Sequence, residues 1–164
     1  PIASEPARSL VHELQEKTAD MTGAIADSHA EATIAALAHL GAKRTAIASR
    51  WANELNEVLV AYLKDAGIEV LAITNAGQWA GKAFSMSIEE GVKLAFQLGR
   101  EARRRAPDAQ AVLLAGGAWR SLAAVPILED DFGIPVITNP IAQVWRLIDA
   151  GMMLRATSGR IAGP

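Results

Sequence analysis

From Lys43 onward the chain repeats one pattern four times: a short apolar run, a turn of small or polar residues, and an amphipathic segment that ends at glycine or proline. The apolar runs are RTAIAS at 44–49, IEVLAIT at 68–74, AVLLA at 111–115 and IPVIT at 134–138. The segments that follow span about 51–66, 87–105, a Pro126-containing stretch that stops at Gly133, and 141–150. Strands separated by connections of helical length pair in parallel through right-handed crossovers, and near-continuous apolar strands need cover on both faces. The pattern predicts an α/β domain: a doubly wound, four-stranded parallel sheet with helices on both faces and the turn after the third strand central. Two helices precede it, over 8–18 and over 28–40, the second carrying Ile34, Leu37 and Leu40 before it stops at Gly41. The chain divides into a helical lead-in over 1–41, which either joins this domain or belongs to a neighbouring lobe, an α/β domain over 42–152, and a loose, small-residue tail over 153–164.

Composition narrows the function classes. With 164 residues, 51% of them hydrophobic, the chain can bury a sizeable core and is not a disordered protein. A net charge of −2 argues against nucleic acid or an anionic membrane as partner. No apolar run reaches the ~18 residues of a membrane span, and PIASEPARSL lacks the order of a signal peptide, so a cytoplasmic location is expected. The absent initiator Met fits either its removal or a piece of a longer chain. There is no cysteine, hence no disulfide, thiolate metal site or thiol nucleophile, and no histidine spacing suits a metal, so no metal is expected. GGAWRS at 116–121 is neither a Walker loop nor a three-glycine dinucleotide turn.

Open parallel sheets take ligands beyond the carboxyl ends of their strands, where helix N-termini offer free N–H groups. That rim carries Ser49, Arg50, Trp51 and Asn53 after the first strand, and Thr74, Asn75, Gln78 and Trp79 after the second. It continues with Gly116, Gly117, Ala118, Trp119, Arg120 and Ser121 after the third, and with Thr138 and Asn139 after the fourth. Trp51, Trp79 and Trp119 either wall a pocket for a small carboxylate or cover the sheet edge. Gly116 and Gly117 either let a ligand approach the backbone or only make the tight turn. His29, beside Asp27 and Ser28, is the candidate proton donor, although Asp27 or Ser28 as a helix cap explains the same pattern. His12 and His39 read as surface residues, and Arg100, Arg103, Arg104 and Arg105 as a solvated helix end. Pro1 as a tautomerase-like base is set aside, because Pro6 and a helical stretch follow it.

Two long stretches, ALAHLGAKRTAIASRWANELNEVLVAYLKDAGIEV and AVLLAGGAWRSLAAVPILEDDFGIPVITNPIAQVWRLIDAG, resemble the second half of the aspartate/glutamate racemase superfamily, specifically its arylmalonate decarboxylase and maleate isomerase branch. The resemblance covers about residues 10–152. It implies one lobe of a two-lobe fold that holds a carboxylate between its lobes and works without a cofactor, each lobe offering one cysteine. By position, Gly116 stands where the second cysteine would be, and most of the first lobe is absent from these 164 residues. Trp51 stands for a tyrosine that often bonds a substrate carboxylate, Ser49 keeps a hydroxyl, and Thr138 and Asn139 occupy a substrate-facing turn. The resemblance implies a lyase- or isomerase-like protein that binds a small carboxylic or dicarboxylic acid without cysteine-dependent turnover. The alternative is a non-catalytic ligand-binding or protein-interaction domain on the same scaffold. The implied partners are the small carboxylate and either further copies of the chain or a separate amino-terminal lobe. Gly116→Cys is the change expected to restore thiol chemistry.

Overall fold

A computed structural model describes residues 7–149, 156–157 and 160–161. Pro1, Pro6 and most of the tail over 153–164 lie outside the described residues; 156–157 and 160–161 pair as a short antiparallel ladder. Helices α1 (Ala7–Thr22) and α2 (His29–His39) lead into strand β1 (Arg44–Trp51), followed by α3 (Asn53–Asp65), β2 (Glu69–Gln78), α4 (Ala80–Ser85) and α5 (Ile88–Arg105). Then come β3 (Ala111–Ala115), a 3-10 turn over Leu122–Ala124, α6 (Val125–Phe132), β4 (Val136–Thr138) and α7 (Asn139–Asp149). The main sheet has the order β2-β1-β3-β4 and every neighbouring pair is parallel, as the repeated strand–helix pattern requires.

Strand alternation sends successive side chains to opposite faces. Ile47, Leu113 and Ile137 pack on one face with Ile34 and Leu37 of α2, Tyr62 and Leu63 of α3 and Ala142 of α7. Ala46, Ala48, Val112, Leu114 and Val136 pack on the other with Ala95 and Ala102 of α5 and Val125 and Leu128 of α6. The lead-in helix α2 thus shares a core with the sheet; Ser28 caps it, its hydroxyl accepting from Glu31 N–H at 3.2 Å.

Several boundaries differ from the periodicity. β1 reaches Trp51 and β2 reaches Gln78, because ladder pairing carries both strands past their apolar runs to the Trp51–Gln78 pair. β4 starts at Val136 rather than at residue 134 and has three residues, and α7 begins at Asn139, directly after it. The α5 arginines are engaged within the chain: Arg100 pairs with Asp131, Arg104 and Arg105 with Glu101, and Arg103 donates to the carbonyls of Ala106 and Pro107.

Candidate active-site edge

The chain passes from β1 to β2 on one side and later returns to lay β3 on the other, so the topological switch point lies between the carboxyl ends of β1 and β3. Two residues meet there. Arg50, the penultimate residue of β1, is 3% exposed. Gly116, the first residue after β3, has φ +144°, a conformation that side chains rarely tolerate. A Cβ on Gly116 would lie 2.9 Å from Arg50 Cγ, 3.0 Å from Nε and 3.1 Å from Cδ. The arginine therefore fills the space into which a side chain at position 116 would project.

The guanidinium is also unsatisfied. Its Nε and Nη1 are buried without a hydrogen-bond partner among the described residues. Burial pushes its pKa down from the ordinary value, yet an arginine keeps its proton at working pH. The other buried side-chain atoms without a partner, among the described residues, are Asn56 Oδ1 and Gln78 Oε1. Both adjoin the same strand end: Asn56 Nδ2 donates to the Trp51 carbonyl at 3.2 Å, and Gln78 stands opposite Trp51 in the ladder. Unsatisfied buried polar groups are uncommon, and here they gather at the carboxyl end of β1.

Most residues expected at this rim hold the backbone instead. Ser49 is fully buried and its hydroxyl accepts from Trp51 N–H at 3.0 Å. Asn139, 4% exposed, accepts from Gly116 N–H at 3.0 Å through Oδ1 and donates through Nδ2 to Thr33 Oγ1 at 3.4 Å. It ties the turn to α2 and α7. Thr138 Oγ1 accepts from Ile141 N–H, and the buried Ser121 hydroxyl donates to the Trp119 carbonyl. Gly117 is exposed, with open space where a Cβ would stand, and Arg120 is exposed as well. Gly91 of α5 has a clear steric role, since a Cβ there would sit 2.7 Å from the Arg120 carbonyl oxygen.

The aromatic wall does not form. Trp119 is 4% exposed, lies in the core beneath α5 and donates its Nε1–H to the Gly91 carbonyl at 2.9 Å. Trp51 packs against the core on the opposite face of the sheet, and Trp79 is 63% exposed. The corrected reading is three indoles in three environments: Trp51 ends β1 on one face of the sheet, whereas Trp119 lies in the turn after β3 and folds under α5 on the other. The expectation for Gly116→Cys meets a steric obstacle: a side chain at position 116 would project into space that Arg50 already fills.

His29 is the exposed first residue of α2, and Ser28 provides the plain helix cap. Nearby, a surface cleft of about 510 Å³ is lined by His12, Asp27, Ser28, Glu31, Gln143 and Arg146, among others. Its charges are paired. Glu31 accepts from Arg8 at 2.8 and 3.0 Å and from the Tyr62 hydroxyl at 2.7 Å, with His12 Nε2 at 3.2 Å. Burial alone would raise the Glu31 pKa, but the bonds from Arg8, Tyr62 and His12 outweigh it and hold the carboxyl at about 2. Asp27 meets Arg146 at 3.1 Å. Among the described residues no group of three or more His, Asp or Glu is placed to hold a metal ion, and no helix is long and apolar enough to cross a membrane.

Sequence reasoning placed Arg50 at the rim without singling it out. A charged residue inside the otherwise small and apolar run AIASRW was the available signal, since a strand interior rarely keeps a charge without a use for it.

The fold and this edge can be set beside known proteins. An arylmalonate decarboxylase from Bordetella bronchiseptica is 29% identical over 150 residues, covering 87% of this chain and 59% of that protein. A crystal structure of arylmalonate decarboxylase superposes with a TM-score of 0.78 at 25% identity, over 92% of this chain and 65% of the other. A maleate cis-trans isomerase from Nocardia farcinica, solved with a covalently bound succinylcysteine intermediate, shares the fold with a TM-score of 0.74 at 23% identity, over 91% and 61% of the two chains. The chain thus spans roughly three fifths of the length of these proteins. The family model described as arylmalonate decarboxylase matches residues 7–161, and the chain belongs to that family.

Proposed function

We propose that this protein holds a small carboxylic or dicarboxylic acid at the carboxyl edge of β1 and β3, without a cofactor, and that it does not perform thiol-dependent chemistry. The carrying observation is the meeting of Arg50 and Gly116. The chain has no cysteine, and the turn at the switch point carries a glycine whose side-chain space is filled by a buried cation. The related isomerase, solved with a succinylcysteine intermediate, has a sulfur atom for which these 164 residues offer no counterpart. Proton transfer at carbon needs a group that can release and regain a proton near working pH. Gly116 has no side chain, Arg120 keeps its proton, and the Ser121 hydroxyl is buried on the Trp119 carbonyl with no base beside it in the hydrogen-bond network. His29, the proton donor that the sequence offers, is the substitute to test.

Two measurements test the reading. Malonate, maleate or phenylmalonate should raise the melting temperature, as any ligand selective for the native state does. Phenylmalonate decarboxylation, maleate isomerisation and α-proton exchange in deuterated water, followed by NMR, should stay at background. Turnover that survives His29→Ala refutes the claim of lost chemistry, and failure of every carboxylate to bind refutes the claim of a carboxylate site. A pure interaction role on the same scaffold would follow from the second result.

A further inference from the structure

Resting on that carboxylate reading, we infer that Arg50 is the anchor of an oxyanion subsite at the Gly116 turn, the residue that gives this protein its preference for a negatively charged ligand. A guanidinium taken out of water without partners is strongly disfavoured, and buried charges are ordinarily paired. Arg50 is 3% exposed, yet among the described residues its Nε and Nη1 meet no acceptor. Arginine is suited to the task, because its fork of N–H donors matches a carboxylate or phosphate and its charge survives desolvation.

Position is the second observation, independent of the first. Arg50 lies at the switch point, where open α/β sheets take their ligands, and its side chain lies directly over a glycine. Beyond that glycine the backbone is exposed at Gly117, with nothing within 4 Å of where its Cβ would be. The exposed Gly117 backbone is the side from which a small anion would reach the unpartnered Nε and Nη1. The turn itself is held by the Asn139 bond to Gly116 N–H, so the sheet need not move. The charge thus occupies the place of a missing thiol and acts by attraction rather than by reaction.

The experiment compares wild type, Arg50→Met, Arg50→Gln and Arg50→Lys by thermal shift and calorimetry, with malonate and inorganic phosphate as separate probes at fixed ionic strength. Removing an uncompensated charge should raise the melting temperature of ligand-free Arg50→Met by ~3 °C or more. Malonate affinity should fall by ~30-fold or more in Arg50→Met and Arg50→Gln, with part retained in Arg50→Lys. A structural arginine predicts the opposite first result, a lower melting temperature. Malonate binding unchanged in both neutral variants, or neutral variants that are less stable without ligand, overturns the inference while leaving the carboxylate site standing. No binding of malonate, maleate, phenylmalonate or phosphate to wild type overturns both. A shift with phosphate alone, lost in Arg50→Met, supports the oxyanion subsite and overturns the carboxylate reading.

Discussion

Gly116→Ala is the perturbation that most directly examines the geometry of the edge. Alanine adds one atom, and that atom would stand 2.9 Å from Arg50 Cγ and 3.0 Å from Nε, closer than buried carbon contacts allow. It must also hold φ +144°, which costs ~1–3 kcal/mol for a residue with a Cβ. Overpacking adds ~1–3 kcal/mol, because the collision is with the stem of a buried side chain rather than with a free end. The combined loss of ~2–6 kcal/mol is a large share of the ~5–15 kcal/mol that holds a domain of this kind together. Urea unfolding of wild type, Gly116→Ala, Arg50→Ala and the double variant separates the two contributions. In the Arg50→Ala background only the backbone part should remain, so the cycle should return a coupling of ~1–3 kcal/mol. Gly116→Ala as stable as wild type, or losses that add within ~0.5 kcal/mol, refutes the steric argument. The same arithmetic applies to Gly116→Cys: a thiol placed there alone should destabilise the turn and restore no activity.

Further outcomes concern the surroundings. The Glu31 carboxyl is held at about 2 against an ordinary 4.5, so its contribution is fully present above pH 4.5 and is lost as the pH falls toward 2. That amounts to ~2–3 kcal/mol across the window. Urea midpoints measured between pH 6 and pH 2.5 should fall for wild type and fall much less for Glu31→Gln; parallel curves would show that the Arg8 and Tyr62 bonds carry no such energy. Trp119→Ala should cost ~3–5 kcal/mol by opening a cavity beneath α5 and removing the indole bond to the Gly91 carbonyl, whereas Trp79→Ala, at an exposed position, should stay within ~0.5 kcal/mol. Equal effects of the two substitutions, read by the same unfolding assay, would contradict their assignment to core and surface.

The sheet was legible because its signal is local and repeated. Runs such as AVLLA are apolar at every position, and each is separated from the next by a segment of helical length, which leaves parallel pairing as the arrangement that buries both faces. The family resemblance was equally legible, being carried by order and spacing along the chain. Strand ends were less so: Trp51 and Gln78 belong to strands only because each finds the other across a ladder, and pairing partners are not written at either position. The same limit governed the tryptophans. Sequence placed Trp51 and Trp119 at neighbouring strand ends, but Trp119 lies in the turn beyond β3, where packing against α5 decides its direction, and the fold puts the two in opposite cores.

At the candidate site the chain itself determined the chemistry that is missing, since 164 residues without cysteine contain no thiol wherever they fold. What stands in its place was decided by tertiary structure alone. Arg50 and Gly116 are 66 positions apart along the chain, and nothing local to either says that one will fill the other's side-chain space. That contact exists because β1 and β3 became neighbours in the sheet and the buried edge between them left the guanidinium without a partner. Residue identity is a property of the sequence, whereas burial, and with it the energetic meaning of a charge, is a property of the packed structure.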